Sequence, residues 1–459
     1  MRVESGIDLK DIPFTHKGVY DLFANGDTLG IFQFESEGMQ ETLRKIMPTS
    51  ISELAIVNAL YRPGPMQYID QYVFNRDRGW GYHQDIDRIL EETNGIIVFQ
   101  EQYIEILSLL KGVSFGEGDN LRRFLSKGSE REVKAFFREL YEESKELGIV
   151  NMNRFFTMMY HMKDYSFPKG HALSYSILSY RMAYFKAMHP ELFTKHFLNY
   201  KPNKKEEIVE YAKSRGVEIF GPSYNNPPYD YSMEGRLILS SKHIQGVNHS
   251  TLEALNEKRK DEVWSFERMI LEHCMVFRLK EMETLIFSGY FDDEVRSNRR
   301  AILELAEYYL NLVEERSFTG EEFEYFGLRG IDPSTQDFSK DVLIEKEYEA
   351  IGCYREEKLV DFLSKGVDHF KIEELKPNAM NVPLFGEITR LRIIKTKKGD
   401  DMVFLDLDDG TGVIDVVVFP RTLERFRNEL SRGYYVRIIG NASLRDNRLQ
   451  LIANEIKKK

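Results

Sequence analysis

The last eighty residues constrain the fold most strongly, because their apolar residues alternate in short runs that are separated by turn signals. We predict three strands, at 383–395, 402–408 and 413–419, with glycine-containing turns between them. A helix over 423–430 and two more strands, at 434–441 and 448–456, complete the series. Five strands with one helix between the third and the fourth have the order of a small closed barrel.

This order is typical of an OB fold, whose sheet face and loops bind single-stranded nucleic acid. The cations of the first loop and of the last hairpin could line a groove for single-stranded nucleic acid; they are Lys395, Lys397, Lys398, Arg445 and Arg448. The candidate stacking residues are Phe404, Phe419 and Tyr435. The alternative is that the lysines are ordinary solubilising residues of hairpin loops.

The first half of the chain is predicted to be mostly helical. Ser50–Glu53 has the spacing of a capping box, and the helix that follows ends before Pro63, which forces Arg62 out of helical conformation. Further helices are predicted at 87–92, 102–110, 119–126, 130–147, 151–162 and 174–188. Near residue 215 short strands appear, at 216–222 and 236–240, and we expect a new domain to begin there.

Composition excludes several classes of protein. The net charge of −11 argues against a protein that coats DNA without regard to sequence, but it allows local basic grooves. Cys274 and Cys353 are far apart, so neither a disulfide framework nor a zinc site is indicated. No apolar run approaches the roughly 18 residues that a membrane span needs. We expect a cytoplasmic protein without a membrane partner.

Two segments place cations beside residues that fix the backbone. They are Tyr61–Pro65, which contains Arg62, and Phe167–Tyr175, in which a lysine, a histidine, a serine and a tyrosine follow one another closely. Cations held on a fixed backbone can bind a polyanion such as a triphosphate. The two segments therefore suggest a nucleotide.

Five motifs in order resemble those of the alpha subunit of bacterial DNA polymerase III, the C-family of replicative polymerases. They are Leu29–Ser36, Tyr61–Pro65, Gly95–Gln102, Leu121–Arg123 and Phe167–Tyr175. The resemblance implies a multidomain α+β protein with mostly helical fingers, a helix-hairpin-helix domain and a C-terminal OB-fold barrel. The domains predicted are the end of the palm at 1–28, fingers at 29–214, helix-hairpin-helix at 215–317, a linker region at 318–379 and the OB fold at 380–459.

The resemblance also implies a pocket for the incoming nucleotide. The residues expected in this pocket are Arg62, Arg122, Arg123, Lys127, Lys169 and His171, with the arginines and lysines on the phosphates and Ser174 or Tyr175 near the sugar or base. The alternative for adjacent arginines on a helix is a solvated face. For Gln100–Gln102, contact with substrate and a polar helix start stay open as equal alternatives. Phe32–Ser36 is interpreted as a structural junction between palm and fingers and not as a contact with substrate, because its aromatic residues alternate as those of a buried strand would.

In this family the palm holds the catalytic metals on three aspartates that precede the first motif. We therefore expect no catalytic or metal-binding residue here, and Mg²⁺ only in the complete enzyme. Asp85–Asp87 and Asp406–Asp408 have the Asp-x-Asp form, but both are interpreted as structural.

Two further regions of the resemblance depart from the family pattern. In the helix-hairpin-helix, Gly246 is present but Asn248 stands in the second glycine position, where it could tolerate positive φ and keep a weaker phosphate contact. In the clamp-binding motif, Glu322–Phe326 has glutamate where glutamine is usual. Binding to a sliding clamp or a clamp loader stays open.

The function predicted is part of a replicative DNA polymerase that binds primer-template DNA and deoxynucleoside triphosphates. We expect it to be inactive unless a palm, for example from a partner chain, supplies the carboxylates. The alternative is a non-enzymatic DNA-binding remnant that uses only the barrel and the hairpin.

Overall fold

The computed structural model describes residues 1–224, 232–233, 236–260, 264–292, 298–315, 329–445 and 448–459. The chain divides into two compact units, Met1–Phe197 and Leu198–Lys459. The first unit is helical and the second combines helices with a barrel, so the predicted α+β class is confirmed. None of the described helices combines the length and the apolar character that crossing a membrane requires.

The helices of the first unit cover most of its length. They are α1 Arg2–Ser5, α2 Lys17–Ala24, α3 Glu37–Ile46, α4 Ile51–Leu60, α5 Ile69–Arg78, α6 Gln84–Leu90, α7 Gln100–Lys111, α8 Phe115–Lys127, α9 Glu130–Glu143, α10 Met152–Met162, α11 Lys169–Met188 and α12 Pro190–Tyr200, which runs into the second unit. Each helix predicted from the sequence of this unit is present, with ends that differ by a few residues.

The core of the first unit is organised around α4. Every residue from Leu54 to Leu60 is buried, as expected for a helix that is apolar on all sides. The long helix α11 packs against α4 and also against α2. At the start of α4, Ser50 Oγ accepts a hydrogen bond from the Glu53 N–H at 3.1 Å, but the Glu53 carboxylate accepts from Thr49 instead of Ser50. The predicted capping box is therefore only half formed.

Two local predictions are wrong. Helix α11 begins at Lys169 and not at Ser174, with Pro168 as its N-cap residue. Phe32–Ser36 is a turn and not a strand, because Gln33 takes a φ of 68° and reverses the chain between Phe32, which is 38% exposed, and the buried Phe34. The apparent alternation of the two aromatic residues comes from that reversal.

The second unit begins with short elements. Its helices are α13 Lys205–Ser214, α14 His249–Lys260, α15 Phe266–Cys274, α16 Leu279–Phe287, α17 Arg299–Glu315, α18 Lys340–Ile351 and α19 Leu359–Leu363. Its first strands are β1 Ile219–Phe220, β2 Ser232–Met233 and β3 Leu237–Ile238. Strands β1 and β3 are shorter than predicted, and β2 was not predicted. Strand β3 pairs with β1 in parallel and with β2 antiparallel. Both cysteines are buried and free.

The C-terminal barrel matches the predicted element order. Its elements are β4 Val382–Lys395, β5 Asp401–Asp408, β6 Val413–Val418, α20 Pro420–Phe426, β7 Tyr435–Arg445 and β8 Arg448–Lys458. The barrel closes in the order β4-β5-β6-β8-β7, with β6 and β8 parallel. Buried and less buried residues alternate along β5 and β7, so one face of each strand fills the barrel.

Candidate functional site

The segment Phe167–Tyr175, which we call the α11 start, is fixed by the loop before α7. Phe99 and Phe167 form a parallel β-bridge. The Phe167 N–H donates to the Val98 carbonyl at 3.0 Å, and the Gln100 N–H donates to the Phe167 carbonyl at 2.9 Å. Two of the motifs singled out in the sequence therefore meet through their backbones.

Arg62 reaches the same place from the end of α4. Its Nη2 donates to the Tyr165 carbonyl at 2.7 Å and its Nε to the Ala59 carbonyl at 3.1 Å, while the guanidinium lies 4.3 Å from the centre of the Phe167 ring. Burial lowers the pKa of Arg62 from its usual value. Gly64 takes a φ of 98°, and a Cβ at this position would lie 2.9 Å from the Tyr165 ring. Because Gly64 has no side chain, Tyr165, whose carbonyl binds Arg62, can pack closely against this turn.

Lys169 is held by two carboxylates. Its Nζ lies 2.6 Å from Oε1 of Glu92, and its backbone N–H faces the two carboxylate oxygens of Glu101 at 3.1 and 3.0 Å. Nζ also lies 5.8 Å from the centre of the Phe99 ring. Glu101 thus caps α11, which explains why the helix starts five residues earlier than predicted.

The first turns of α11 carry the remaining candidates. His171 lies over Tyr175, with ring centroids 4.2 Å apart, and Tyr175 also contacts Phe32 at 5.3 Å. Ser174 Oγ donates to the Gly170 carbonyl at 2.8 Å, so the hydrogen bond that its hydroxyl donates lies within α11. The structure therefore gathers Arg62, Lys169, His171 and Tyr175 at one end of α11.

The candidates on α8 are organised differently. Arg122 Nε and Nη2 donate to Oδ1 of Asp119 at 2.9 and 2.8 Å, and Arg123 Nη2 lies 2.8 Å from Oδ2 of the same residue. Hydrogen bonds from Arg122 lower the pKa of Asp119 below its usual value. Arg123 is 64% exposed and Lys127 is the exposed last residue of the helix. The structure therefore ties these arginines to their own helix and not to the α11 start.

The sequence analysis missed Glu92 and considered Glu101 only as part of Gln100–Gln102, without its contact to Lys169. Glu92 and Glu101 pair with a lysine that follows them by 77 and 68 residues, and no local pattern signals either pair. Gln102, for which the sequence allowed two roles, is buried: its Oε1 accepts from the Val98 and Phe99 N–H groups. Gln102 therefore fixes the loop before α7, which pairs with Phe167 of the α11 start.

The residues described do not fit the Mg²⁺ that the resemblance implies for the complete enzyme. No group of three or more histidine, cysteine, aspartate or glutamate side chains in the described ranges could hold a metal ion. Asp87 accepts a hydrogen bond from the Tyr82 N–H at 2.8 Å near the start of α6. Asp406 faces Asp415 across β5 and β6, and burial, together with the charge of Asp415, raises the pKa of Asp406. Both Asp-x-Asp segments are thus part of the local structure.

The hairpin before α14 keeps only one of its two predicted features. Gly246 takes a φ of 71°. Asn248 directly precedes α14, and its Oδ1 accepts from the Thr251 N–H at 3.3 Å. Asn248 does not take a positive φ, so that part of the prediction is wrong, while its contact with a phosphate stays a prediction.

On the barrel, the lysines of the first loop differ in their contacts. Lys395 Nζ lies 3.1 Å from Oδ1 of Asp401, whereas Lys397 and Lys398 are exposed in the turn. Arg445 and Arg448 face each other across β7 and β8, at the ends of the last hairpin. The clamp-motif candidate, Glu322–Phe326, lies outside the described residues.

The aromatic candidates of the barrel also differ in exposure. Phe419 is 46% exposed, and Phe404 is partly buried in β5. The Tyr435 hydroxyl donates to Glu387 at 3.0 Å, and its ring is partly buried. Phe419 therefore offers the most accessible ring for stacking.

Two family models match the chain. Residues 1–148 match the bacterial DNA polymerase III alpha subunit finger domain, and residues 382–458 match an OB-fold nucleic acid binding domain. Among solved structures, the second OB-fold domain of replication protein A from Methanococcus maripaludis is similar to 20% of this chain and 94% of that chain, at 21% identity and a TM-score of 0.17.

Proteins similar in sequence over nearly the whole chain are named as DNA polymerase III alpha subunits. DNA polymerase III subunit alpha of Staphylococcus aureus strain MRSA252 is 30% identical over 98% of this chain and 43% of its own length. The Staphylococcus epidermidis ATCC 12228 protein of that name is 28% identical over the same shares. The chain thus spans less than half the length of these relatives. Together, these matches show that the chain is similar to bacterial DNA polymerase III alpha subunits, with a match to their finger domain at residues 1–148 and to an OB fold at residues 382–458.

Proposed function

We propose that this chain provides the fingers and DNA-binding parts of a bacterial replicative DNA polymerase. In this proposal the α11 start binds the incoming deoxynucleoside triphosphate and the barrel binds the template strand of the primer-template. The observation that carries the proposal is the convergence of Arg62, Lys169 and His171, from two distant motifs, on one end of α11.

The chemistry of phosphoryl transfer explains what such a cluster would do. Catalysis rests mainly on positioning the triphosphate and neutralising its charge. Arg62 and Lys169 would contact phosphate oxygens, while His171, Tyr175 and Phe32 present a continuous series of rings for the sugar or base. Because Arg62 is anchored by two carbonyls, it would hold its position without the ligand.

We further propose that nucleotidyl transfer requires palm aspartates supplied by additional sequence or by a partner chain. The support is the family resemblance and the poor fit of the described carboxylates to a metal pair. When bound on the palm, Mg²⁺ would supply charge neutralisation for the triphosphate and the leaving group. Binding to a sliding clamp or a clamp loader stays open.

Primer extension and DNA binding, measured on the same sample, test the proposal. We expect the purified chain to bind a fluorescent primer-template in an anisotropy titration and to give no extension with Mg²⁺ and deoxynucleotides. Adding a palm-containing fragment of a relative should restore extension. Extension by the chain alone that is abolished by Lys169→Gln would contradict the requirement for a separate palm.

The rival function is that of a DNA-binding remnant without polymerase activity. The closed barrel is the observation that favours it. A remnant has no need for the nucleotide pocket. Binding of DNA without any binding of deoxynucleotide, measured by equilibrium dialysis, would favour the remnant over the polymerase part.

A further inference from the structure

The lysine at the α11 start is neutralised by a carboxylate from another element. Nζ of Lys169 lies 2.6 Å from Glu92, which follows α6, and the two side chains are 35% and 33% exposed. The two residues are 77 positions apart in sequence, so the pair is formed by the tertiary fold and not by neighbouring positions on one helix. The same lysine is the strongest candidate to meet a phosphate in the proposed nucleotide pocket.

We propose that Glu92 is a placeholder for a phosphate group: it holds the Lys169 ammonium in the nucleotide-free chain, and the triphosphate must displace it. This inference rests on the proposed function, because it concerns the same pocket. Carboxylate and phosphate oxygens offer an ammonium group equivalent charge-assisted hydrogen bonds. The triphosphate can therefore take over the contact without moving the lysine.

The two carboxylates at Lys169 have different roles. Glu101 accepts from the backbone N–H of Lys169, so its removal would leave the first turn of α11 without its cap. Glu92 contacts only the side chain and is partly exposed, so it can turn into water when a phosphate arrives. Glu92 is therefore the exchangeable partner and Glu101 the fixed one.

The α8 arginines show a second instance of internal neutralisation. Arg122 and Arg123 both pair with Asp119. Arg122, Arg123 and Lys169 thus each pair with a carboxylate of this chain. Of these ion pairs, only the one between Lys169 and Glu92 lies at the α11 start.

Ligand binding by charge-matched variants tests the inference. The probes are 2′-deoxyadenosine 5′-triphosphate and inorganic tripolyphosphate, measured by equilibrium dialysis at low salt without Mg²⁺. The variants are Glu92→Gln, Lys169→Gln and the double variant. The control is Glu91→Gln, which makes the same charge change at an exposed neighbouring residue. Circular dichroism checks that the helix content of each variant is unchanged.

We expect Glu92→Gln to bind both probes about two- to fivefold more tightly, the effect of removing a partly exposed ion pair. Glu91→Gln should change the affinity much less, and the gain should disappear in the Lys169→Gln background. If Lys169→Gln weakens binding but Glu92→Gln does not strengthen it, the placeholder role is wrong while the pocket stands. If Lys169→Gln has no effect, or no variant binds, the proposed pocket and this inference are both overturned.

Discussion

At the scale of single residues, the site depends on partners that are distant in sequence. The sequence identified Arg62 and Lys169 from the glycine and proline beside them. It could not identify Glu92 or Glu101, because their contacts with Lys169 exist only once the loop before α7 pairs with Phe167. Candidate cations were therefore predictable from local sequence, whereas their electrostatic partners were not.

Gly95 shows how one backbone position supports this loop. Its φ is 79°, and a Cβ there would lie 2.5 Å from the Trp80 ring. We predict that Gly95→Ala lowers the free energy of unfolding of the first unit by about 3 kcal/mol, because it adds a steric clash to left-handed backbone strain. Urea unfolding followed by Trp80 fluorescence, in a Trp264→Phe background, measures the change.

Gly112 is the matched control for this substitution. It takes a φ of 64° at the end of α7, and no atom lies within 4 Å of a Cβ placed there. Gly112→Ala should cost only the backbone strain, about 1 kcal/mol. Equal destabilisation at the two positions would show that contact with Trp80 does not matter.

At the scale of elements, those that form through interactions local in sequence were predicted more accurately than those that depend on distant residues. The barrel strands were predicted closely because strand alternation and glycine turns are local signals. The start of α11 was predicted too late, since Gly170 disfavours helix locally and the cap that stabilises the first turn comes from Glu101. The strand proposed at Phe32–Ser36 failed for a similar reason: alternation of two aromatic residues does not distinguish a strand from a turn.

A buried ion network joins α17 and α18 in the second unit. Arg299 Nη2 lies 2.9 Å from Glu347, and Arg355 also hydrogen-bonds to Glu347. Burial by itself would raise the pKa of Glu347, but the Arg355 and Arg299 guanidinium groups together lower it below its usual 4.5. A lowered folded-state pKa stabilises the fold above the unfolded-state pKa, and this stabilisation is lost as the pH falls through the folded-state pKa.

We predict that Glu347→Gln lowers the free energy of unfolding of the second unit by about 3 kcal/mol at pH 7, because it leaves buried arginine charge less compensated. The difference from the wild type should begin to shrink below about pH 4.5, where the carboxyl of the unfolded chain becomes protonated, and should be lost once the pH falls through the lower folded-state pKa. Urea titrations at several pH values, followed by Trp264 fluorescence in a Trp80→Phe background, measure this. Glu349→Gln, on the exposed side of the same helix, should cost less than about 1 kcal/mol. A difference that does not depend on pH would contradict the assignment.

At the scale of the whole molecule, a net charge of −11 requires that any DNA contact be local. Lys397 and Lys398 of the barrel are exposed, and they stay the predicted local contacts. We predict that replacing both with glutamine reduces the slope of log K against log salt, for single-stranded DNA, by about 0.7 for each phosphate that the barrel no longer neutralises.

The control for this prediction is a double substitution of Lys134 and Lys145 with glutamine. Both lysines pair with glutamates of the first unit, so this double substitution changes the net charge by the same amount without altering the unit that contains the barrel. Fluorescence anisotropy across a series of salt concentrations measures both slopes. An equal change of slope in the two double variants would show that DNA binding depends on net charge and not on the first loop of the barrel.

The central claim, that the α11 start is the nucleotide pocket, is tested most directly by photo-crosslinking. The full chain is irradiated with 8-azido-2′-deoxyadenosine 5′-triphosphate, and labelled peptides are mapped by mass spectrometry. We predict labelling within Phe167–Tyr175 or at its contact residue Phe32, and protection of these peptides by excess unlabelled deoxyadenosine triphosphate. Labelling confined to the barrel, or labelling that unlabelled nucleotide does not reduce, would contradict the claim.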